Sequence, residues 1–459
     1  MKSLLVKINN KLNAQGGFLK AVSVLVGGTA FAQALAVLAL PFLTRLYSPA
    51  EFSIFAVYTS ILGILTVASC LRFEIAIPIP NDDKEAVTLT VLALISNFFI
   101  SILIGFIIWC FHADIISLLK KPEFEKLIWL VPVGVFFSGI YTSLQYWFTR
   151  KKSFTLIAKT RVVQSISGTS TQLIMGSMGY AAIGLVLGQI IKISAGIRKL
   201  GINFWNETVI LLKSLDAKYI WFIFKKNDQF PKYSTLDSLA NSAGIQLPIL
   251  IIATLALGSE VGYLMIAMQV MAIPIQLISG AVSQVYLADA PVAYENKTIA
   301  KYTQTILENL IKYGVSVLII IGILSPIFSK YIFGIEWTKV GFIISWMVPW
   351  FAFQLLASPI SMIMHIAGKQ KQMLLLTIFG FCLRIGMLYS QFYINPSYLI
   401  EVYAISGGIF YFICYIIFSN TAGLVIKDHF VLLKKVFLFV FLIACSSLLF
   451  AILLREVGL

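Results

Sequence analysis

Arg384 lies in the middle of the apolar run Phe379–Leu388, with no other charge beside it. A guanidinium stays charged at any physiological pH and carries five donors in a planar fork. At the centre of a membrane-spanning helix it costs roughly 2.5–3.5 kcal/mol, so it must face protein or water and not lipid. Two chemistries suit it. It can hold an anionic group through its fork, or it can pair with Glu401, near the start of the following apolar run, and fix packing.

Other polar residues could share such a pathway. Arg45 and Arg72 flank the first apolar hairpin, either as helix anchors or as contacts for a passing anion, and Glu74 offers Arg72 a local ion pair. Arg150, Lys151, Lys152, Lys159 and Arg161 form the densest short basic cluster; it suits contact with anionic lipid or, in the sharper reading, capture of a phosphorylated substrate. Gln33 and Gln246 sit mid-helix, where a polar side chain bonds a neighbouring helix or lines a wet cavity. The candidate pathway set is thus Arg384, Arg72, Lys159, Arg161, Arg45, Gln33 and Gln246. Glu401 and Asp237 are added as coupling or structural acids, and Asp237 also suits a helix N-cap. No deep acid is expected in the first six apolar runs, which weakens an acidic drug or cation site there.

These residues are positioned by about thirteen apolar windows, each long enough to cross a bilayer as a helix. They are Val22–Leu43, Phe52–Cys70, Ala86–Phe111, Leu127–Phe148, Val162–Gly179, Tyr180–Ile197, Ser238–Leu257, Val261–Ala288, Tyr313–Ser329, Val340–Gly368, Gln372–Tyr393, Tyr398–Ser419 and Val436–Leu454. Alternating polarity, which spanning strands require, is absent. Hydrophobic residues make up 59% and charged residues 12%, outside the soluble range. About 27 of the basic residues crowd into every second connection. The other set holds only Arg45, Lys120, Lys121, Lys126, Lys330, Lys339 and Arg455. That sorting predicts a polytopic membrane protein with a cytoplasmic N-terminus, and without an organelle-targeting signal a bacterial-type inner membrane is the simplest reading. The sorting also accounts for the net charge of +15, leaving nucleic acid without support as a partner. The first window is too long for the core of a cleavable signal.

The five cysteines are dispersed in apolar windows and the three histidines match no ligand spacing, so neither a disulfide framework, a metal nor a cofactor follows. No phosphate-binding glycine loop, dinucleotide fingerprint or zinc-protease helix occurs, so an enzyme is not expected. The first twelve windows read as two weakly similar series of six. The predicted domains are residues 1–197, a six-helix bundle; 198–233, a cytoplasmic linker with an interfacial helix over Glu207–Lys226; 234–420, a second six-helix bundle; and 421–459, an additional transmembrane or re-entrant segment. An even number of helices per half implies a pseudo-two-fold axis along the membrane normal, with a site between the halves.

Several runs resemble the polysaccharide-transporter branch of the MATE-like MOP superfamily, the O-unit (Wzx-type) flippases. They are Leu71-Arg72-Phe73-Glu74-Ile75-Ala76-Ile77, Arg150-Lys151-Lys152-Ser153-Phe154, Ala158-Lys159-Thr160-Arg161-Val162-Val163-Gln164-Ser165, Phe230-Pro231-Lys232-Tyr233-Ser234, Asn241-Ser242-Ala243-Gly244-Ile245-Gln246-Leu247-Pro248 and Gln284-Val285-Tyr286-Leu287-Ala288-Asp289-Ala290. The resemblance implies an all-α, MATE-like fold of two six-helix bundles; the thirteenth window departs from the usual twelve. It implies alternating access that moves undecaprenyl-pyrophosphate-linked oligosaccharide from the inner to the outer leaflet. The partners it implies are that lipid-linked substrate, membrane lipids, and a polysaccharide polymerase with its chain-length regulator. The alternatives are a cation-coupled multidrug exporter, which wants deep acids in the first bundle, and an integral-membrane polysaccharide polymerase, which wants a sizeable outer loop.

Overall fold

The computed structural model of the protein describes residues 17–255 and 259–456. Lys2, Lys7 and Lys11 of the N-terminal basic set, and Gly258 of the second outer turn, lie outside the described residues. Every regular element among the described residues is helical. The chain divides into two compact units: residues up to Tyr47 with Ile54–Leu250, and Ser48–Ser53 with Ile251–Leu459.

The helices α1 (Gly17–Leu38), α2 (Leu40–Leu46), α3 (Pro49–Ser69), α4 (Phe73–Ala76), α5 (Asp83–Cys110), α6 (His112–Leu119), α7 (Leu130–Arg150), α8 (Phe154–Ser177), α9 (Ala181–Ser194), α10 (Ile197–Lys213) and α11 (Ala217–Lys226) build the first unit, together with most of α12 (Thr235–Leu255). Small residues let these helices approach closely, as van der Waals packing in lipid requires. At Gly139 of α7 a Cβ would stand 2.1 Å from the Asn97 side-chain oxygen, so the glycine admits Asn97 of α5. The Asn97 amide then donates to the Phe136 carbonyl at 2.8 Å. Gly168 of α8 and Gly188 of α9 also approach closely, a Cβ on either standing 3.1 or 3.0 Å from the other's carbonyl oxygen.

Apolar side chains from six helices converge below them: Phe73, Leu89, Trp147, Ile157, Phe204 and Ile223 are all buried. The last two belong to the linker. Glu207–Lys226 forms parts of two helices, broken at Ser214–Asp216, and not one interfacial helix; the Asp216 carboxylate caps α11 by accepting from the Tyr219 amide at 3.1 Å. Both linker helices dock on the first unit through this cluster.

The second unit holds α13 (Glu260–Pro274), α14 (Gly280–Glu295), α15 (Ile299–Asn309), α16 (Ser316–Phe333), α17 (Thr338–Ile360), α18 (Ile363–Ile366), α19 (Gln370–Ile394), α20 (Leu399–Thr421) and α21 (Ile426–Glu456). Pro274 lacks the amide that would continue α13, and the backbone widens into a π turn over Ile275–Ser279 before α14 resumes. Reciprocal serine bonds tie α16 to α17: Ser345 donates to the Gly322 carbonyl at 2.6 Å and Ser325 to the Gly341 carbonyl at 2.9 Å. α21 runs without interruption for 31 residues, about 46 Å of helix, and packs on α16.

Among the described residues, eleven helical stretches are long and apolar enough to cross a membrane. The remaining two expected spans form α7 and α8, of 21 and 24 residues. They are more polar than the rest, and α8 carries Lys159, Thr160, Arg161, Gln164 and Ser165 within three turns.

Candidate functional site

Arg384 lies on α19, and its partners are aromatic. The guanidinium carbon is 4.8 Å from the centre of the Phe410 ring, 5.8 Å from that of Trp350 and 6.0 Å from that of Tyr411. Two glycines seat these rings. A Cβ on Gly380, one turn before Arg384, would stand 2.3 Å from the Phe410 ring; a Cβ on Gly407 would stand 2.3 Å from the Trp350 indole. Tyr403 braces Trp350 edge-on, with ring centres 5.1 Å apart. Arg384 Nε and Trp350 Nε1 are both buried and have no hydrogen-bond partner.

The expected Arg384–Glu401 pair does not form: Arg384 makes no ion pair among the described residues. Register explains it. Arg384 lies ten residues before the end of α19, about 15 Å along the axis, whereas Glu401 is only about 3 Å into α20. In an antiparallel hairpin the level of Arg384 falls near residues 409–411, where Phe410 and Tyr411 stand. Glu401 is left with a buried, unpartnered carboxylate oxygen, Oε2.

The aromatic surround has a chemical consequence. A carboxylate would neutralise the cation, while ring quadrupoles stabilise it and leave its charge intact, by ~2 kcal/mol for a desolvated group. That offsets much of the insertion cost, and the unpartnered Nε still seeks an acceptor.

In the first unit Arg72 pairs with Glu74 at 3.4 Å, as the local spacing suggested. The backbone there is strained: Leu71 and Arg72 have φ of 49° and 61°, left-handed values that cost non-glycine residues about 1–2 kcal/mol each. Glu74 is 4% exposed, its Oε2 has no partner, and burial raises its pKa against the lowering effect of its own backbone amide and of Arg72. This buried acid lies outside the first six apolar runs, between Phe52–Cys70 and Ala86–Phe111. Glu74 follows α3 in a connection, and the turn at Leu71–Arg72 folds it back onto the apolar cluster.

Arg161 donates to the Thr29 hydroxyl at 2.7 Å, joining α8 to α1, and Lys159, two residues earlier, is exposed without a carboxylate. Gln33 is exposed, and Arg45 is exposed at the end of α2. Gln246 packs on Gly63 of α3, where a Cβ would meet its amide nitrogen at 3.0 Å, and Ser242 donates to the Gly63 carbonyl at 2.8 Å. Asp237 is exposed and caps nothing, because the helix enters α12 through a π turn over Phe230–Ser234 and Thr235 already lies within it.

Two members of the densest basic cluster share one carboxylate. Arg150 and Lys151 both bind Asp83, at 2.9 and 2.7 Å, and Arg150 also donates to the Pro80 and Asn81 carbonyls. Lys226 of α11 binds Glu85 at 2.8 Å. These residues latch α7 and the linker to the start of α5. No group of acids, histidines and cysteines able to hold a metal occurs among the described residues.

The sequence model of a family described as "Polysaccharide biosynthesis protein" matches residues 42–341. The chain belongs to that family. A search of curated proteins by sequence gives no match. In fold, this polysaccharide biosynthesis protein is similar to the lipid II flippase MurJ, with a TM-score of 0.68 at 13% identity over 95% of this chain and 99% of that one. It is also similar to an inward-facing multidrug resistance MATE family transporter of the MOP superfamily, with a TM-score of 0.64 at 15% identity over 85% and 94%. A third likeness is to a MOP superfamily transporter from Pyrococcus furiosus, with a TM-score of 0.52 at 15% identity over 88% and 96%. The fold is therefore that of MOP superfamily transporters, and the protein is a multi-pass membrane protein.

Proposed function

We propose that the protein is a flippase that moves undecaprenyl-pyrophosphate-linked oligosaccharide units, precursors of O-antigen, capsule or another surface polysaccharide, from the inner to the outer leaflet of a bacterial inner membrane by alternating access. Its N-terminus is cytoplasmic in this reading, and it works beside a polysaccharide polymerase and chain-length regulator. The observation that carries the reading is membership of a polysaccharide biosynthesis family by a chain whose fold is a transporter's.

The physics supports it. Sugars and pyrophosphate cannot cross hydrocarbon bare, since each hydrogen-bonding group costs several kcal/mol to desolvate unpaired. Arg384, un-neutralised and with an open donor, supplies a cation for the pyrophosphate or an acidic sugar, and Trp350 Nε1 supplies a neutral donor in the same cluster. Lys159 and Gln33 are exposed polar groups on α8 and α1, helices packed on one another, and fit a hydrated wall of the pathway. Arg72, Arg161, Arg45 and Gln246 complete the proposed pathway set, Arg161 also bonding Thr29 of α1 and Gln246 packing on Gly63 of α3. Glu401, with its buried free oxygen, is the acid through which a coupling ion would act, and Asp237 has no structural task that competes with such a role.

The test is a gene deletion followed by analysis of lipid-linked sugars. Loss of surface polysaccharide with single units retained on the cytoplasmic side supports flipping. Unpolymerised units collecting on the outer leaflet would instead make the protein a polymerase.

A further inference from the structure

Within the second unit, the π turn Leu310–Val315 and helices α17, α20 and α21 leave a cavity of about 680 Å³ whose walls are almost wholly apolar. The stripe Ile426, His429, Leu433, Val436, Val440 and Ala444 runs along one face of α21 at helical spacing, so the cavity extends for about 27 Å along that helix. We propose that it holds one acyl chain of an anionic phospholipid as a bound constituent of the protein.

The class of occupant follows from lining, size and charge. The mouth is framed by Phe412, Phe430, Phe437 and Phe441, each about half exposed or more, so the opening faces hydrocarbon and not water. A methylene takes up about the volume of a water molecule, ~30 Å³, so the space suits a chain of some 20 carbons and is far too small for a polyprenyl tail. One end is polar: His429 Nδ1 lies 2.8 Å from the Tyr415 hydroxyl, and its Nε2 lies 3.4 Å from the Ser419 hydroxyl. Lys427 and Lys434 flank the stripe about a quarter-turn away, both exposed and without a carboxylate, whereas Lys435 is bound to Glu308 at 3.1 Å. An unpaired lysine pair beside an apolar slot in a membrane helix complements a lipid phosphate. Lys312, over the Tyr313 and Phe439 rings at 5.4 and 5.2 Å, holds α21 against the rest of the unit, so the slot is a fixed feature of the fold. Phe410, the ring nearest Arg384, stands about 200° around α20 from Phe412 and does not line the slot. This inference does not rest on the proposed substrate.

The test is native mass spectrometry of the full chain extracted in mild detergent, delipidated, then offered phosphatidylglycerol, phosphatidylcholine or polyprenyl phosphate. The wild type is expected to bind one phosphatidylglycerol in preference to the other two. Val440→Trp and Ala444→Trp, which fill the slot, lose that adduct while melting as folded helical protein by circular dichroism. The double variant Lys427→Gln/Lys434→Gln, which leaves the slot open, keeps an adduct but binds phosphatidylglycerol and phosphatidylcholine equally. The proposal is overturned if the wild type binds no lipid, if polyprenyl phosphate is preferred, if folded slot-filling variants bind as the wild type does, or if the chain is dimeric with no lipid adduct.

Discussion

The Arg384 guanidinium rests on the face of Phe410, its carbon 4.8 Å from the ring centre, because Gly380 has no side chain to hold that ring away. Gly407 does the same for Trp350. Gly380→Ala and Gly407→Ala each place a methyl group in a ring and are expected to cost about 1–3 kcal/mol. Thermal melting in detergent checks this, and unchanged melting in both variants would show that the rings have room to move.

Arg384→Lys keeps the charge but replaces a planar, weakly hydrated cation with a strongly hydrated point charge that stacks poorly. The expected outcome is near-normal abundance with reduced transport. Glu401→Ala should leave Arg384 undisturbed, since no bond joins them. A loss of abundance equal to that of Arg384→Ala, measured by immunoblot of membranes, would restore the ion-pair reading.

Much of this was legible in the sequence. Thirteen apolar windows and the sorted Lys and Arg marked the helices, and Arg384 stood out as a base that sorting does not explain. Opposite charge points to Glu401 as its partner, but register decides: counting residues back from the hairpin points to Phe410 and Tyr411. The Arg72–Glu74 pair is legible in the spacing, but the burial of Glu74 is not. Its burial depends on the left-handed turn at Leu71–Arg72, and nothing in those two residue types announces positive φ, which glycine usually supplies. Likewise, the pairing of Arg150 and Lys151 with Asp83 joins positions 67 and 68 residues apart and is set by tertiary packing.

Glu74 makes stability depend on pH. Burial raises its pKa in the folded protein, so the native state holds a proton that the unfolded chain has released. Stability from this group is present at low pH and declines as pH rises from the ordinary carboxylate value through the raised one. Melting temperature across that range should fall for the wild type and fall less for Glu74→Gln. Equal slopes would mean that Arg72 compensates the charge fully.

Ile223, 1% exposed, anchors α11 in the apolar cluster. Ile223→Asp buries an unpaired carboxylate and should undock the linker, exposing Lys218 and Lys225 to trypsin. Limited proteolysis in native membranes reads this directly: faster cleavage between residues 213 and 226 is expected, and an unchanged digestion pattern would show that the helix is not held by this contact.

The most direct measurement is the leaflet in which single lipid-linked oligosaccharide units reside in cells that lack the chain, in cells that carry it, and in cells that carry Arg384→Gln at equal abundance. The account predicts units on the outer leaflet only with the wild type, and units held on the cytoplasmic leaflet in the other two. Units reaching the outer leaflet at the wild-type rate without the chain would contradict it.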